Sequence, residues 1–219
     1  VLVRLETAER RWAGHRCIVA ASGPSLTPDV AALCRHERVL AVNDAYKPIP
    51  WAEVLYACDA GWIDAHKGAP DFQGQRWTSH GMRPLNDKRR IAGRYDLHII
   101  GGEDGEGFSL DPRCIHYGGN SGFQAVNLAL LFGANPVILV GFDMRRVDGR
   151  DHFFGNHPPG LIAPGPFGQW IENFRRAAAL LPPEIRILNA TPGSALDCFP
   201  MVDLERTLQE PRDGTSDAA

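Results

Sequence analysis

Short runs that are apolar at every position recur along the chain, and each stops at polar or turn-forming residues. Cys17 to Ala21 ends in Ser22-Gly23-Pro24-Ser25, and Val39 to Val42 ends at Asn43-Asp44. Val54 to Cys58 ends at Asp59, and Pro136 to Val140 ends at Gly141-Phe142-Asp143. Continuous apolar runs of this length predict strands buried on both faces. Leu97 to Ile100 and Ile185 to Leu188 read as two further short strands. Helical patterns lie between them. Thr27-Pro28-Asp29 combines an N-cap, a first-turn proline and an acid that complements the helix dipole. Ser121 to Phe132 is a strong helix, with Gly133 placed to end it and Pro136 just beyond. Residues 60–67, Gln169 to Leu181 and Leu204 to Leu208 predict three more helices, and Leu5 to Trp12 an amphipathic helix or arm.

Three stretches lack a clear period. Residues 68–94 are polar and rich in Gly, Pro, Arg and Asn, and read as a loop with one strand near Trp77. Residues 101–120 carry many glycines and read as loop. Residues 144–166 form a long polar connection. The expectation is one domain over 1–209, with 68–94 and 144–166 as long rim loops and 210–219 as a disordered tail. Strands alternating with helices imply an α/β fold with a mostly parallel sheet covered on both faces. In such sheets ligands bind at the carboxyl ends of the strands, near a switch in strand order. Ser22, Ser25, Asn43, Asp44, Asp59 and Asp143 all follow strands, so the fold would deliver them to one rim.

Composition narrows the function classes. The chain has 219 residues, 44% hydrophobic and 22% charged, which is too apolar for general disorder and ordinary for a soluble globular protein. No apolar run is long enough to cross a bilayer. Residues 1–16 are charged and helical in character rather than signal-like, so a cytoplasmic location is expected. The net charge of −3 argues against a dedicated nucleic-acid coat, and a nucleic-acid acceptor is disfavoured. The five cysteines are scattered without a CxxC, which speaks for buried thiols in a reducing compartment rather than a disulfide framework or zinc knuckle.

Five constellations carry candidate chemistry. In Ser22-Gly23-Pro24-Ser25 a glycine after the first strand lets backbone approach a phosphate, which the next helix start would favour electrostatically; an ordinary strand–helix turn is the plain alternative. Gly118-Gly119-Asn120-Ser121-Gly122 repeats the theme at a second helix start. Asp59 and Asp143 could hold Mg²⁺, bind a ribose hydroxyl or simply cap nearby N–H groups. His152 and His157, in the long loop after the clearest strand, are candidate general bases, and Asp143 joins them as a candidate for the reaction centre. The basic run Arg83 to Arg94 reads either as a solvated stretch or as a clamp for a phosphate or an acidic acceptor. The residues contain no P-loop, Gly-x-Ser-x-Gly elbow or HExxH.

Taken in order, Ser22-Gly23-Pro24-Ser25-Leu26, Val42-Asn43-Asp44, Tyr56-Ala57-Cys58-Asp59, Asn120-Ser121-Gly122 and Val140-Gly141-Phe142-Asp143 resemble the bacterial lipooligosaccharide sialyltransferases and the related archaeal 6-hydroxymethylpterin diphosphokinase-like family. Small phage and prophage proteins share the pattern, including a loop like His152 to Pro158. The resemblance spans roughly Cys17 to Pro200. It implies a Rossmann-like three-layer sandwich, and a transferase with a CMP-sugar donor and a hydroxyl acceptor of unspecified identity. Gly23-Pro24-Ser25 would lie by the donor phosphate, Asn43 would match a strand-end asparagine, Ser121-Gly122 would hold the nucleotide, and His157 or His152 would supply the base. The chain departs from the sialyltransferases at Ser22 and Asp59, where they carry asparagines, and no tyrosine follows Asp143. Asp59 looks more like the Mg²⁺-dependent diphosphokinases that use ATP. The resemblance therefore implies a nucleotide-sugar transferase first, a Mg²⁺-dependent diphosphotransferase second, and a non-catalytic phage protein keeping the fold as a third reading. Oligomeric state is left open.

Overall fold

Parallel strands with helices on both sides need a chain that returns to the same sheet edge after every strand, and the computed structural model shows this layout. It describes residues 3–80, 85–155 and 165–210. Eight strands form one sheet: β1 Cys17–Ala20, β2 Arg38–Val42, β3 Val54–Tyr56, β4 Gln75–Ser79, β5 His98–Glu103, β6 Cys114–His116, β7 Val137–Val140 and β8 Ile187–Asn189. The helices are α1 Pro28–Leu33, α2 Ala60–Ala65, α3 Leu85–Tyr95, α4 Ser121–Leu131, α5 Phe167–Ala179 and α6 Leu204–Gln209. Every pairing is parallel, so the expected mostly parallel sheet is wholly so.

The spatial order is β6-β5-β4-β3-β2-β1-β7-β8. From β1 the chain steps outward strand by strand to β6. It then crosses back through α4 to β7, on the other flank of β1. The strand order therefore switches direction between β1 and β7. Side-chain alternation splits the core into two clusters. Cys17, Val19, Leu40, Val54 and Tyr56 pack with α4 and with Phe174 of α5. Ile18, Ala20, Val39, Ala41 and Leu55 pack with Ala31 of α1, Trp62 of α2, Ala92 of α3 and Leu204 of α6. This is the Rossmann-like three-layer arrangement. Among the described residues no helix is long and apolar enough to cross a membrane.

Two expectations are corrected and one open alternative is decided. Of the helix or arm expected over 5–12, the chain forms the arm: a non-helical strap that ends in a turn from Arg11. Glu6 bridges Ile100 in parallel, its N–H donating to the Ile99 carbonyl at 2.8 Å. The strap thereby covers the part of the β5 edge that β6, paired only from Gly101, leaves open. Trp12 anchors its end, fully buried against Phe132 with ring centroids 4.8 Å apart.

Residues 68–94 are not a rim loop. They supply β4, the strand expected near Trp77, inserted between β3 and β5, and the unexpected helix α3. Their signal is weak because the elements are buried through few apolar groups. In α3 Ala92 is fully buried, and Lys88 is nearly so, its ammonium group donating to the Cys58 carbonyl.

Residues 101–120 likewise contain the end of β5 and all of β6. Gly101 and Gly102 read as loop, yet they are strand positions where neighbours approach closely. A Cβ on Gly101 would lie 2.6 Å from the Arg113 carbonyl oxygen, and one on Gly102 2.4 Å from the Tyr117 ring. The described part of 144–166 holds no regular element before α5 beyond isolated bridges. His157 and residues 211–219 lie outside the described residues.

Candidate functional site

The loops after β1 and β7 meet at the switch point. The Gly23 N–H donates to the Gly141 carbonyl at 2.9 Å, and the Phe153 N–H donates to the Ser22 carbonyl at 3.0 Å. The Asp143 carboxylate is buried and accepts from the Ser25 hydroxyl at 2.7 Å and the Ser25 N–H at 3.3 Å. The Ser22 hydroxyl donates to the Val42 carbonyl at 3.1 Å, tying this turn to the end of β2. Gly23 has no room for a side chain because Asp143 occupies it: a Cβ would sit 2.0 Å from Asp143 Oδ2. The glycine lets the two loops approach one another, a use the sequence could not separate from approach to a phosphate. Pro24 lies within this turn, ahead of Thr27, which caps α1 by accepting from the Val30 N–H at 3.3 Å.

At the ends of β2 and β3 the polar residues divide by what they bond. The Asp44 carboxylate is buried, accepting from Lys47 and, at 2.8 Å, from Trp62 Nε1, with His66 Nε2 at 3.1 Å. Burial alone would raise its pKa, but the hydrogen bonds from Lys47 and Trp62 outweigh burial and hold it below the usual carboxylate range. A carboxyl depressed in this way stabilises the fold above its unfolded pKa of about 3.9, and that contribution is lost as pH falls through the folded value. Asp44→Asn is therefore expected to cost about 1–2 kcal/mol at pH 7 and to flatten the acid limb of stability below about pH 4. Denaturant titrations at pH 7 and pH 3 check this, and an unchanged difference between the two pH values would count against it. Asp59 caps α2, accepting from the Gly61 N–H at 2.6 Å and the Trp62 N–H at 3.4 Å. Asn43 differs: it adopts a left-handed φ of 49°, and its Oδ1 is buried without a hydrogen-bond partner.

The start of α4 forms the other wall. Asn120, rather than Ser121, is the N-cap, its Oδ1 accepting from the Phe123 N–H at 2.9 Å while its Nδ2 is buried without a partner. The Ser121 hydroxyl lies 3.0 Å from Cys58 Sγ and accepts from the Cys58 N–H at 3.3 Å, which joins α4 to the end of β3. Gly122 packs at 3.0 Å, counted from its would-be Cβ, against the Phe142 ring, and Gly119 sits exposed just before the cap with φ +85°. Behind this start, Gln124 binds three elements at once. Its Oε1 accepts from the Tyr56 hydroxyl at 2.6 Å and the Ser79 hydroxyl at 2.9 Å, and its Nε2 donates to the Tyr117 carbonyl at 3.0 Å.

One group on this rim, His80, escaped the sequence, and a second, Lys88, belongs to the basic run Arg83 to Arg94 already read as a candidate phosphate clamp. His80 follows β4 directly. Its backbone N–H donates to the Ile100 carbonyl at 2.7 Å, its carbonyl accepts from the Tyr117 hydroxyl at 2.7 Å, and its Nε2 is buried without a partner. Burial, then the nearby Arg89 and Lys88, push its pKa below the ordinary histidine value. Lys88 reaches from α3 to the Cys58 carbonyl. The sequence predicts a strand near Trp77 but not where it ends, and the end at Ser79 makes His80 a strand-end residue, as Asn43 is after β2.

Among the described residues, six buried side-chain polar atoms lack a hydrogen-bond partner, and four belong to Asn43, His80, Arg89 and Asn120. Buried polar groups are almost always paired, and these four residues lie at or beside the strand-end rim. A cavity of about 500 Å³ between Thr7–Arg10 and Leu130–Asn135 lies at the far end of α4, away from these groups.

The predicted pairings are only partly brought together. Asp59 and Asp143 end strands three positions apart, about 14 Å at ordinary strand spacing. Both carboxylates already accept hydrogen bonds from the chain, and the described residues contain no group of three His, Cys, Asp or Glu suited to a metal. This pair does not fit a shared Mg²⁺. His152 stacks on Phe154 with centroids 4.9 Å apart, in the loop that Phe153 pins to Ser22. It therefore stands over the β1 and β2 ends, where Lys47 also approaches the Phe154 ring.

No protein-family profile matches the chain, and no curated protein matches it. Among solved structures, the MAf glycosyltransferase from Magnetospirillum magneticum AMB-1 superposes on 92% of this chain with a TM-score of 0.63 and 11% identity. The chain spans 35% of that protein's length. At this identity the likeness speaks for the fold: the chain shares its Rossmann-like α/β layout with a part of a glycosyltransferase.

Proposed function

We propose that this chain is a nucleotide-dependent group transferase of the glycosyltransferase kind, moving a sugar from a nucleotide-sugar donor, a CMP-sugar, to an acceptor hydroxyl. The observation that carries the reading is the set of unpartnered polar atoms on Asn43 and Asn120, flanking the Ser22–Ser25 turn on the strand-end rim. The fold likeness to a glycosyltransferase points the same way.

In this reading Ser22 to Ser25 and Gly119 to Gly122 line the nucleotide, with Asn43 reaching it from β2. The reaction is a direct displacement. The bond from the sugar's anomeric carbon to the donor phosphate breaks as the acceptor oxygen bonds to that carbon. The positive end of α4 stabilises the leaving phosphate, and His152 or His157 takes the acceptor's proton. Asp44, Asp59 and Asp143 contribute by holding the loops in place. The diphosphotransferase alternative would ask Asp59 and Asp143 for a shared metal, which their separation and existing bonds do not favour.

A thermal-shift panel of CMP, CDP, UDP, ADP and ATP, each with and without Mg²⁺, tests the proposal. CMP is expected to stabilise the protein whether or not Mg²⁺ is present, by about 2.7 kcal/mol at a hundred times its Kd. Stabilisation by ATP or ADP only with Mg²⁺ would replace this reading with diphosphate transfer. No response to any nucleotide would leave the fold without this chemistry.

A further inference from the structure

We propose that His80, Lys88 and Arg89 form an oxyanion-binding subsite at the β4 end of the rim, which takes a phosphate or carboxylate group of the substrate. The assignment rests on the transferase reading only for the molecule that carries the oxyanion.

Helical geometry sorts the basic run of the sequence. Arg90 faces solvent, and Arg94 pairs outward with Asp64 at 3.4 Å. Lys88 is buried, and Arg89 is partly buried with its Nε shielded from solvent. Both lie close enough to His80 to act on its imidazole electrostatically. Arg89 makes no ion pair with any described residue, and its Nε and His80 Nε2 both lack hydrogen-bond partners. Shielding the Nε–H of a guanidinium from water without an acceptor is costly, and an oxyanion repays that cost with charge-assisted hydrogen bonds.

Part of the surroundings adds positive charge. Lys88 donates to the Cys58 carbonyl, and Cys58 touches Ser121 at the first turn of α4, an eleven-residue helix. The positive end of that helix adds to the three side chains. The nearest acid on this path, Asp59, spends its carboxylate on the N–H groups of Gly61 and Trp62. Tyr117, another titratable neighbour of His80, is neutral, its pKa raised by burial and, less, by Cys114, Asp104 and Glu103. The planar fork of Arg89 suits two oxygens of one group, while Lys88 supplies charge from a fixed position.

Isothermal titration with CMP, cytidine, glucuronate, glucose and inorganic phosphate tests the subsite in the wild type, Arg89→Ala, Arg89→Lys and His80→Asn. Circular dichroism and the ligand-free melting temperature report whether each variant is folded, and Arg113→Ala, at an exposed pair with Asp111, serves as the surface control. Arg89→Ala is expected to weaken CMP about 10- to 100-fold while leaving cytidine unchanged, which identifies a nucleotide phosphate as the source. Loss confined to glucuronate, with glucose unaffected, identifies an acidic sugar instead. Arg89→Lys should fall between wild type and alanine, because charge remains and the fork is lost. Phosphate binding that depends on Arg89, in a protein that binds no nucleotide, would keep the subsite and remove the transferase reading. Equal affinities in wild type, folded Arg89→Ala and folded His80→Asn for every probe would overturn the subsite while leaving nucleotide binding standing. Binding of no probe to the wild type would overturn both.

Discussion

Gly23→Ala is expected to lower stability by about 3 kcal/mol, a fall in Tm of about 6–12 °C, and to abolish nucleotide affinity. The added methyl group would lie 2.0 Å from Asp143 Oδ2 and 2.4 Å from the Gly141 carbonyl oxygen. Neither can retreat cheaply. Asp143 is 3% exposed and held by both the hydroxyl and the N–H of Ser25, and the Gly141 carbonyl accepts from Gly23 itself. Relief would require the loops after β1 and β7 to separate at the switch point, which would displace the Ser22–Ser25 turn from the rim. Combining Gly23→Ala with Asp143→Ala should restore part of the loss, because the side-chain clash disappears and the carbonyl clash remains. Differential scanning calorimetry of the single and double variants reads both effects. A single variant melting within about 2 °C of wild type would refute this account of the glycine.

Gln124→Leu is expected to cost about 3–5 kcal/mol, although leucine is similar in size and more apolar. The amide is 5% exposed and serves the Tyr56 hydroxyl, the Ser79 hydroxyl and the Tyr117 carbonyl, the first two on residues no more than 1% exposed. Leucine leaves the Tyr117 carbonyl without a partner and removes the acceptor shared by the Tyr56 and Ser79 hydroxyls, in a dry interior where each lost bond costs about 1–3 kcal/mol. The loss also reaches the rim. Tyr56 leads to Cys58 and Asp59, Ser79 to His80, and Tyr117 to Asn120, so one side chain holds three strand ends in register. Combining Gln124→Leu with Tyr56→Phe and Ser79→Ala should cost much less than the sum of the separate changes, since replacing both partners of a buried bond is nearly neutral. Urea denaturation of the full cycle measures the coupling. Strict additivity would show that the bonds do not act together.

The elements visible in the sequence are those whose cause is local. β1, β2, β3 and β7 announce themselves because a strand buried on both faces is apolar at every position, and their ends coincide with the turn residues that stop the runs. Thr27 and Asn120 cap helices through their own side chains, three residues from the N–H groups they satisfy. The same locality made most of the rim legible. Once the strands are known to be parallel, residues following them must share one edge of the sheet.

The remaining elements depend on partners far along the chain. β4 carries polar residues inward, and Ser79 is tolerated there only because Gln124, from α4, accepts its hydroxyl. Gly101 and Gly102 sit in a strand because Arg113 and Tyr117 press against them. The strap at 5–12 gives up helical bonds for the open edge of β5. The sequence expects a strand near Trp77 but does not mark its end, which conceals His80, and reading the rest of 68–94 as loop hides the turn of α3 that brings Lys88 and Arg89 to the rim.

Sequence alone thus determined the sheet's nature, its buried strands and the edge where polar residues gather, because hydrophobic period and capping chemistry act within a few residues. It could not decide what each polar residue does there. Asp44, Asp59 and Asp143 are alike as strand-end acids, yet all three satisfy donors from the chain. Asn43, His80, Arg89 and Asn120 each keep a buried polar atom unpaired. That division follows from hydrogen-bond geometry between segments brought together only by folding. It separates the groups whose bonds hold the rim from those left with an unpaired atom beside it.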